Sequence, residues 1–376
     1  MIFRKGELFC GPGGFSLGAK LARVIDKQGN EYKIEHEWAN DIDDYAVQTY
    51  RENICPSRPE SVIHGNVRDI DIESFAPIDA FSFGFPCNDF SLVGEHRGFD
   101  GEYGGLYTFG VKVLQHHQPK FFVAENVGGL QSANGGLAFA KILADLKGAG
   151  YKLTPHLYKF HEYGVPQKRK RIIIVGIRND FGLEFKVPAP THDGINTPFV
   201  SSYEALNSPP IPEDAFNNER TKHAAKVVEM LKHIPPGKNA WCEEIPETLR
   251  LNVKGARLSQ IYKRLDPHQP AYTVTGSGGG GTHIYHWLEP RALTNRERAR
   301  LQTFPDWYNF QGSKEQVRKQ IGMAVPTLGA KIIFESILKT FAGIDYDFID
   351  SKWQEALDQK QKLVNLSLES QLELEI

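Results

Sequence analysis

The sequence predicts an α/β fold: a doubly wound, mostly parallel sheet accompanied by a second, smaller and irregular domain. Three observations predict it. Short apolar runs alternate with stretches of helical periodicity through the first half of the chain. A glycine-rich turn, Gly11-Pro12-Gly13-Gly14, separates the first strand from the first helix. Between Ile177 and Pro290 the alternation disappears among prolines such as Pro188, Pro198, Pro209, Pro235 and Pro236, and helical periodicity returns only after Pro326.

The elements follow in order. Glu7-Leu8-Phe9-Cys10 is a short strand, and Phe15 to Ala22 has the apolar spacing of a helix. Tyr32 to Trp38 reads as the second strand, with a helix from Tyr45 to Asn53 that Asp43 and Asp44 would start. Ser61 to Val67 is the third strand and its end. Ile78 to Phe83 is an apolar run that Gly84 and Pro86 stop, so Cys87 should sit on the loop just past a buried strand. A helix opens at Gly104-Gly105-Leu106 and runs to about His117; the apolar strand Lys120 to Ala124 then ends at Glu125-Asn126-Val127. A further helix lies near Leu137 to Lys147, and Ile172 to Gly176 forms another buried strand.

Composition bounds the function without naming it. The 376 residues are 40% hydrophobic and 24% charged, with a net charge of −2, as in an ordinary soluble globular protein. This balance neither demands nor excludes nucleic acid; a site for it must be a local patch. Four cysteines without CxxC spacing fit a reducing cytoplasm better than a disulfide framework or a metal site. No signal peptide is expected, and no apolar segment is expected to span a membrane.

Several residues stand where chemistry is done in such folds. Ligands bind outside the carboxyl ends of the strands, which is where Cys87 falls; the alternative is a small buried hydrophobe. The run after the first strand is not a strict G-x-G-x-x-G, and reads either as a nucleotide-approach loop or as a plain tight turn. Asp41 and Glu37 both qualify as acceptors for ribose hydroxyls. Glu125 is either a catalytic carboxyl or an acid preceding a helix. Four consecutive basic residues, Lys168 to Arg171, abut a strand; alternation puts Arg169 and Arg171 on one face, suited to a phosphate or a base edge. The acid-free stretch from Arg250 to Leu265, with Arg250, Lys254 and Arg257, suits phosphates or is a solvated face.

In combination these residues resemble the DNA (cytosine-5) methyltransferase family of the bacterial restriction-modification type. The resemblance rests on Phe9-Cys10-Gly11-Pro12-Gly13-Gly14-Phe15, Gly84-Phe85-Pro86-Cys87, Glu125-Asn126-Val127, Gln167-Lys168-Arg169-Lys170-Arg171, Arg291-Ala292-Leu293-Thr294-Asn295-Arg296-Glu297 and Gly322-Met323-Ala324-Val325-Pro326, in the family's order. It implies a class I S-adenosylmethionine-dependent methyltransferase fold. Residues 1–180 and 312–350 would form a discontinuous catalytic domain, 181–311 a target-recognition domain, and 351–376 a tail.

The resemblance also implies roles. Cys87 would add to C6 of a cytosine flipped out of duplex DNA, and Glu125 would serve its N3. Arg171, helped by Arg169, would hold the cytosine O2; Asn126 would fix the turn that aims Glu125, and Pro86 would stiffen the nucleophile loop. S-adenosylmethionine would lie on Phe9, Gly11, Pro12, Gly13 and Gly14, with Asp41 on the ribose. Ile42 and Val67 would enclose the adenine, Asn66 would accept its amino group, and Leu106, Ala324 and Val325 would close the site. Asn66 replaces the family's Asp, and Met323 its Asn. Thr273, Val274 and Thr275 resemble the family's recognition loop. The implied product is S-adenosylhomocysteine, with no metal. The chain would act as a cytoplasmic monomer on duplex DNA, and a cognate restriction endonuclease would share its target. An RNA-directed cytosine-5 methyltransferase of the same fold and a non-catalytic DNA-binding relative are the alternatives.

Overall fold

The structure is a computed structural model and describes residues 1–85, 105–127, 137–252, 258–276 and 279–351. Pro86, Cys87, Lys254 and Arg257 lie outside the described residues, as do Gly94, Gly98, Gly101, Gly104 and the tail from 352.

Strands β1 (Ile2–Leu8), β2 (Arg23–Ile25), β3 (Glu31–Asp41), β4 (Val62–His64), β5 (Ala80–Phe83), β6 (Phe121–Val127), β7 (Tyr151–Lys159) and β8 (Lys170–Arg178) form one sheet. Its order is β2-β3-β1-β5-β6-β8-β7, with β4 beside β3. β1 runs parallel to β3 and to β5, and β5 parallel to β6. β8 then runs antiparallel between β6 and β7. The connection reverses direction across the sheet between β1 and β5, so a crevice opens at their carboxyl ends.

The central strands are apolar because both faces are covered. On one face Leu8, Phe81, Phe83, Phe122 and Ala124 share a core with helices α3 (Tyr107–His117) and α4 (Leu137–Gly148). On the other face Phe3, Ala80, Phe121 and Val123 pack with α1 (Gly14–Leu21). Helix α2 (Asp44–Asn53) follows β3; the side chain of Asp43 caps it by accepting from the Ala46 N–H.

Beyond β8 the chain is irregular, with α5 (Ser202–Asn207), α6 (Ala225–Lys232) and a small core of Met230, Leu231, Ile234, Ile245 and Tyr285. Helices α7 (Asn295–Leu301) and α8 (Lys314–Met323) both start with capping boxes, Thr294 with Glu297 and Ser313 with Gln316. Leu293, Leu301, Phe304 and Tyr308 share a core with Leu17, Val47 and Tyr50, joining this segment to the sheet. Helix α9 (Thr327–Ala342) returns to the first lobe and packs on α1. A side chain at Gly18 would stand 2.5 Å from Cβ of Ala330, so only glycine permits that approach. The last strand, Phe348–Ile349, pairs with Val187–Pro188.

The stretch from Lys314 to Ala342, which comprises α8 and α9, is 29 residues long and apolar enough, by length and composition, to cross a membrane. Its most apolar window is 72% buried inside the protein, which explains the hydropathy by packing.

Candidate active site

The site forms where β5, β6 and β8 end. Because β6 and β8 are antiparallel, Val127 pairs with Arg171 and Glu125 with Ile173. Glu125 and Arg171 are therefore diagonal neighbours on one face, within reach of long side chains. Nε of Arg171 forms an ion pair with Oε1 of Glu125 at 2.8 Å, with both side chains largely covered, 15% and 13% exposed. Nη1 of Arg171 also donates to the Lys170 carbonyl at 2.8 Å. The other carboxylate oxygen of Glu125 faces the end of β5: a Cβ on Gly84 would lie 3.3 Å from Oε2. Gly84, just past the end of β5, thus lies directly beside Glu125.

Asn126 ties these strand ends together. It is buried; its Nδ2 donates to the Phe85 carbonyl at 3.1 Å and its Oδ1 accepts from the Val127 N–H at 2.8 Å. It ties the end of β6 to Phe85, just past β5.

Arg169 departs from expectation. Its guanidinium is 1% exposed, and Nη1 donates to the carbonyls of Val274 and Gly322, each at 3.0 Å, with Nη2 near that of Met323 at 3.4 Å. Burial lowers its pKa well below the ordinary value, and Arg171 adds to the effect. Alternation assigned it correctly to the face of Arg171. Its hydrogen bonds, however, go to backbone, so it clamps the 274 loop and the end of α8 to the sheet rather than presenting a donor to a base.

Gln167 and Gln302 extend that clamp, and nothing in the sequence signals it. Gln167 accepts from the Val274 N–H at 2.8 Å and donates to Gln302 at 3.0 Å. Gln302 donates to the carbonyls of Ile321 and Ala324 at 2.7 and 3.1 Å. Val274, expected to face DNA, is 0% exposed, and its side chain anchors the loop in the core. Thr273 is half-buried with its hydroxyl near the Lys168 carbonyl, and Thr275 is exposed. Arg250, expected in a phosphate patch, spends its guanidinium on the carbonyls of Ile245 and Glu243, at 2.9 and 3.2 Å.

The second half of the crevice is the turn after β1. Phe9, Gly11 and Gly13 adopt positive φ, at 56°, 52° and 92°. A Cβ on Gly11 would meet nothing within 4 Å, so open space lies over that backbone. A Cβ on Gly14 would instead stand 2.5 Å from the Val325 carbonyl oxygen, which seats the Ala324-Val325 segment against the start of α1. The Tyr308 hydroxyl donates to the Pro12 carbonyl and supports the turn from below.

Asp41 ends β3 beside this turn. Its Oδ2 accepts from the Gly11 N–H at 2.7 Å and its Oδ1 from the Asp43 N–H at 2.9 Å. Each oxygen keeps a lone pair. Burial raises its pKa above the usual carboxylate value, and the backbone N–H bonds oppose that shift. Ile42 is 66% exposed at the crevice, while Phe9, Val67 and Leu106 meet in one apolar cluster. Asn66 accepts from the Arg68 N–H at 3.1 Å and so caps the turn after it.

The described cysteines are poor nucleophiles. Burial pushes up the thiols of Cys10, Cys55 and Cys242.

This architecture recurs in solved methyltransferases. S. pombe Dnmt2 methyltransferase matches with a TM-score of 0.58 at 16% identity, over 90% of this chain and 98% of that one. A prophage-encoded protein of E. coli, described as a DNA modification methyltransferase, matches with a TM-score of 0.62 at 23% identity, over 90% and 99%. The fold is therefore that of the class I methyltransferases. The chain belongs to the C-5 cytosine-specific DNA methylase family, whose profile matches residues 3–339. Type II methyltransferase M.BbvI of Brevibacillus brevis is 65% identical over 361 residues, spanning 94% of this chain and 95% of the relative. Type II methyltransferase M.NgoFVII of Neisseria gonorrhoeae is 40% identical over 350 residues, spanning 92% and 88%. The enzyme is a DNA cytosine-5 methyltransferase.

Proposed function

We propose that this enzyme is the modification methyltransferase of a type II restriction-modification system, and that it methylates one cytosine in a short duplex sequence through a covalent bond from Cys87. The observation that carries the mechanism is the Glu125–Arg171 pair, held beside Gly84 where the chain turns toward Cys87. Identity to two type II methyltransferases over nearly the whole chain supports the biological role.

The residues at the crevice fit S-adenosylmethionine. Gly11 offers open space over its backbone, Asp41 keeps lone pairs for two ribose hydroxyls, and exposed Ile42 offers an apolar face for the adenine. Phe9, Pro12, Gly13, Val67 and Leu106 would shape the pocket, with Gly14, Ala324 and Val325 behind them. When bound, this cofactor supplies an electrophilic methyl group. Asn66 already caps its own turn, so an adenine amino group would share that oxygen.

Cytosine C5 is a weak nucleophile. The Cys87 thiolate would add at C6 and move electron density to C5, N3 and O2. Glu125, at the end of β6, would share a proton with N3. Arg171 would stabilise the charge at O2 with donors its Glu125 bond leaves available, and its positive charge would favour the thiolate. Asn126 is the positioning residue for both strand ends. After methyl transfer, a base removes the C5 proton and Cys87 leaves. The target base must swing out of the duplex to be reached on both faces.

Residues 181–311, with their own small core, would form the target-recognition domain, 1–180 and 312–350 the catalytic one, and 351–376 a tail. The enzyme would work as a monomer in the cytoplasm. Methyl transfer from tritiated cofactor to duplex DNA and to tRNA tests the reading: label in DNA alone supports it, and label in tRNA alone overturns it.

A further inference from the structure

Helix α7 is rich in arginine, and all but one of its guanidiniums are matched to oxygen. Arg300 pairs with Asp306, and Arg296 donates to the carbonyls of Phe216, Pro305 and Tyr308. Arg291, just before the helix, is held by Glu297 and Glu289. Arg298 is the exception. It is 3% exposed, yet its side chain has no carboxylate or carbonyl partner among the described residues; it donates only to Nδ1 of His283, at 3.3 Å. The acid next to it, Glu297, is committed to Arg291 and to the Thr294 N–H.

Arg298 lines a cavity of about 340 Å³ between α7, α8 and the irregular segment. Arg220, Lys222, Lys314 and Arg318 line it too, and the buried Nε of Arg318 has no hydrogen-bond partner. Two acids, Glu219 and Glu315, share the lining, so the cavity carries a net excess of three positive charges from five cations and two anions. His283 accepts from Arg298, which requires a bare ring nitrogen; burial first, then Arg298, lowers its pKa to about 4 and keeps it neutral. Burial, then Arg318, lowers the pKa of Arg298 to about 10, so it stays charged at neutral pH. The charge of Arg318 acts against that of Arg298, so the two guanidiniums repel each other here. Burying a charge without a counter-ion is costly, and an anion bridging them would remove that cost.

We propose that this cavity binds a phosphate group. Guanidinium forks match the tetrahedral oxyanion geometry of phosphate, and the volume leaves room for bound water beside it. Two sources could supply the group: a DNA backbone phosphate or a free phosphate-bearing molecule. Position favours DNA. Arg318 lies one helical turn before Gly322, and the backbone of Thr275 and Gly276 presses on Gly322 so closely that a Cβ there would stand 1.9 Å from the Gly276 nitrogen. The cavity is thus adjacent to the loop that resembles the recognition loop. This choice of source rests on the proposed use of residues 181–311 in DNA recognition; the phosphate site itself does not.

The test uses the full chain, with Arg318→Gln and the exposed Lys222→Gln as variants and the remote, exposed Lys27→Gln as charge control. Thermal unfolding is followed against inorganic phosphate, with chloride at matched ionic strength. Phosphate should stabilise the wild type and Lys27→Gln saturably, with apparent affinity at least about tenfold weaker in the other two variants. Equal responses in all four proteins, or none, overturn the proposal. Duplex DNA affinity against salt then assigns the source. A slope of log K on log salt reduced by about one in Arg318→Gln but not in Lys27→Gln identifies a DNA phosphate. An unchanged slope with phosphate stabilisation retained identifies a free phosphate-bearing ligand.

Discussion

Nε of Arg171 and Oε1 of Glu125 lie 2.8 Å apart across two antiparallel strands, with both side chains mostly covered. The pairing fixes the carboxylate in space while its other oxygen faces Gly84, at the start of the path to Cys87. Glu125→Gln keeps the shape and removes the acid. Methyl transfer should fall about 10²- to 10⁴-fold while cofactor binding persists. Single-turnover kinetics with labelled cofactor measures this; an undiminished rate would remove Glu125 from the chemistry.

Arg169 should behave differently from its neighbour. Arg169→Met leaves the carbonyls of Val274 and Gly322 without their donor in a buried site. The loss should be about 3 kcal/mol of stability, read as a lower urea midpoint. Full stability with lost catalysis would instead give Arg169 a direct hand in the reaction.

Asp41→Ala should weaken S-adenosylmethionine binding about 10- to 100-fold by calorimetry, since hydrogen bonds to a charged acceptor are worth more than neutral ones. Circular dichroism should show the fold retained. Unchanged affinity would move the ribose elsewhere.

Stability should fall in mild acid. His286 is buried, and its Nδ1 accepts from the N–H groups of Leu288 and Glu289 at 3.0 and 3.1 Å. Burial depresses its pKa from 6.5 to about 4. The unfolded chain therefore binds this proton at higher pH than the native protein does. The contribution of neutral His286 is complete above pH 6.5 and is lost as pH falls toward 4. His36, His156 and His283 are depressed in the same direction, chiefly by burial. The urea midpoint should be lower at pH 5 than at pH 7.5, and His286→Asn should narrow that gap. An equal gap in the variant would exclude His286 as a contributor.

The parts of the fold carried by periodicity were legible. Helix α2 begins where Asp43 and Asp44 indicated, and α3, α4 and α9 fall close to their expected positions. β7 was not read, because Pro155 and His156 interrupt its pattern; as the edge strand of the sheet it tolerates a proline. The reversal of β8 was equally hidden, since apolar alternation carries no direction, yet that reversal is what brings Arg171 to Glu125. Among the site residues, the glycine turn and Asp41 lie together because backbone conformation and strand ends decide them. The burial of Arg169 and Val274, and the turn of Arg250 onto backbone carbonyls, were not legible. Each depends on which carbonyls or side chains the tertiary fold presents, and no local spacing encodes that.

Cytosine C5 methylation through Cys87 can be read directly in DNA. Its most direct test is bisulfite sequencing of DNA from a host without cytosine methylation of its own, expressing either the wild type or Cys87→Ser. Protected cytosines should appear at one recurrent short sequence with the wild type, and none with the variant. Equal protection by Cys87→Ser, or none by the folded wild type, would contradict it.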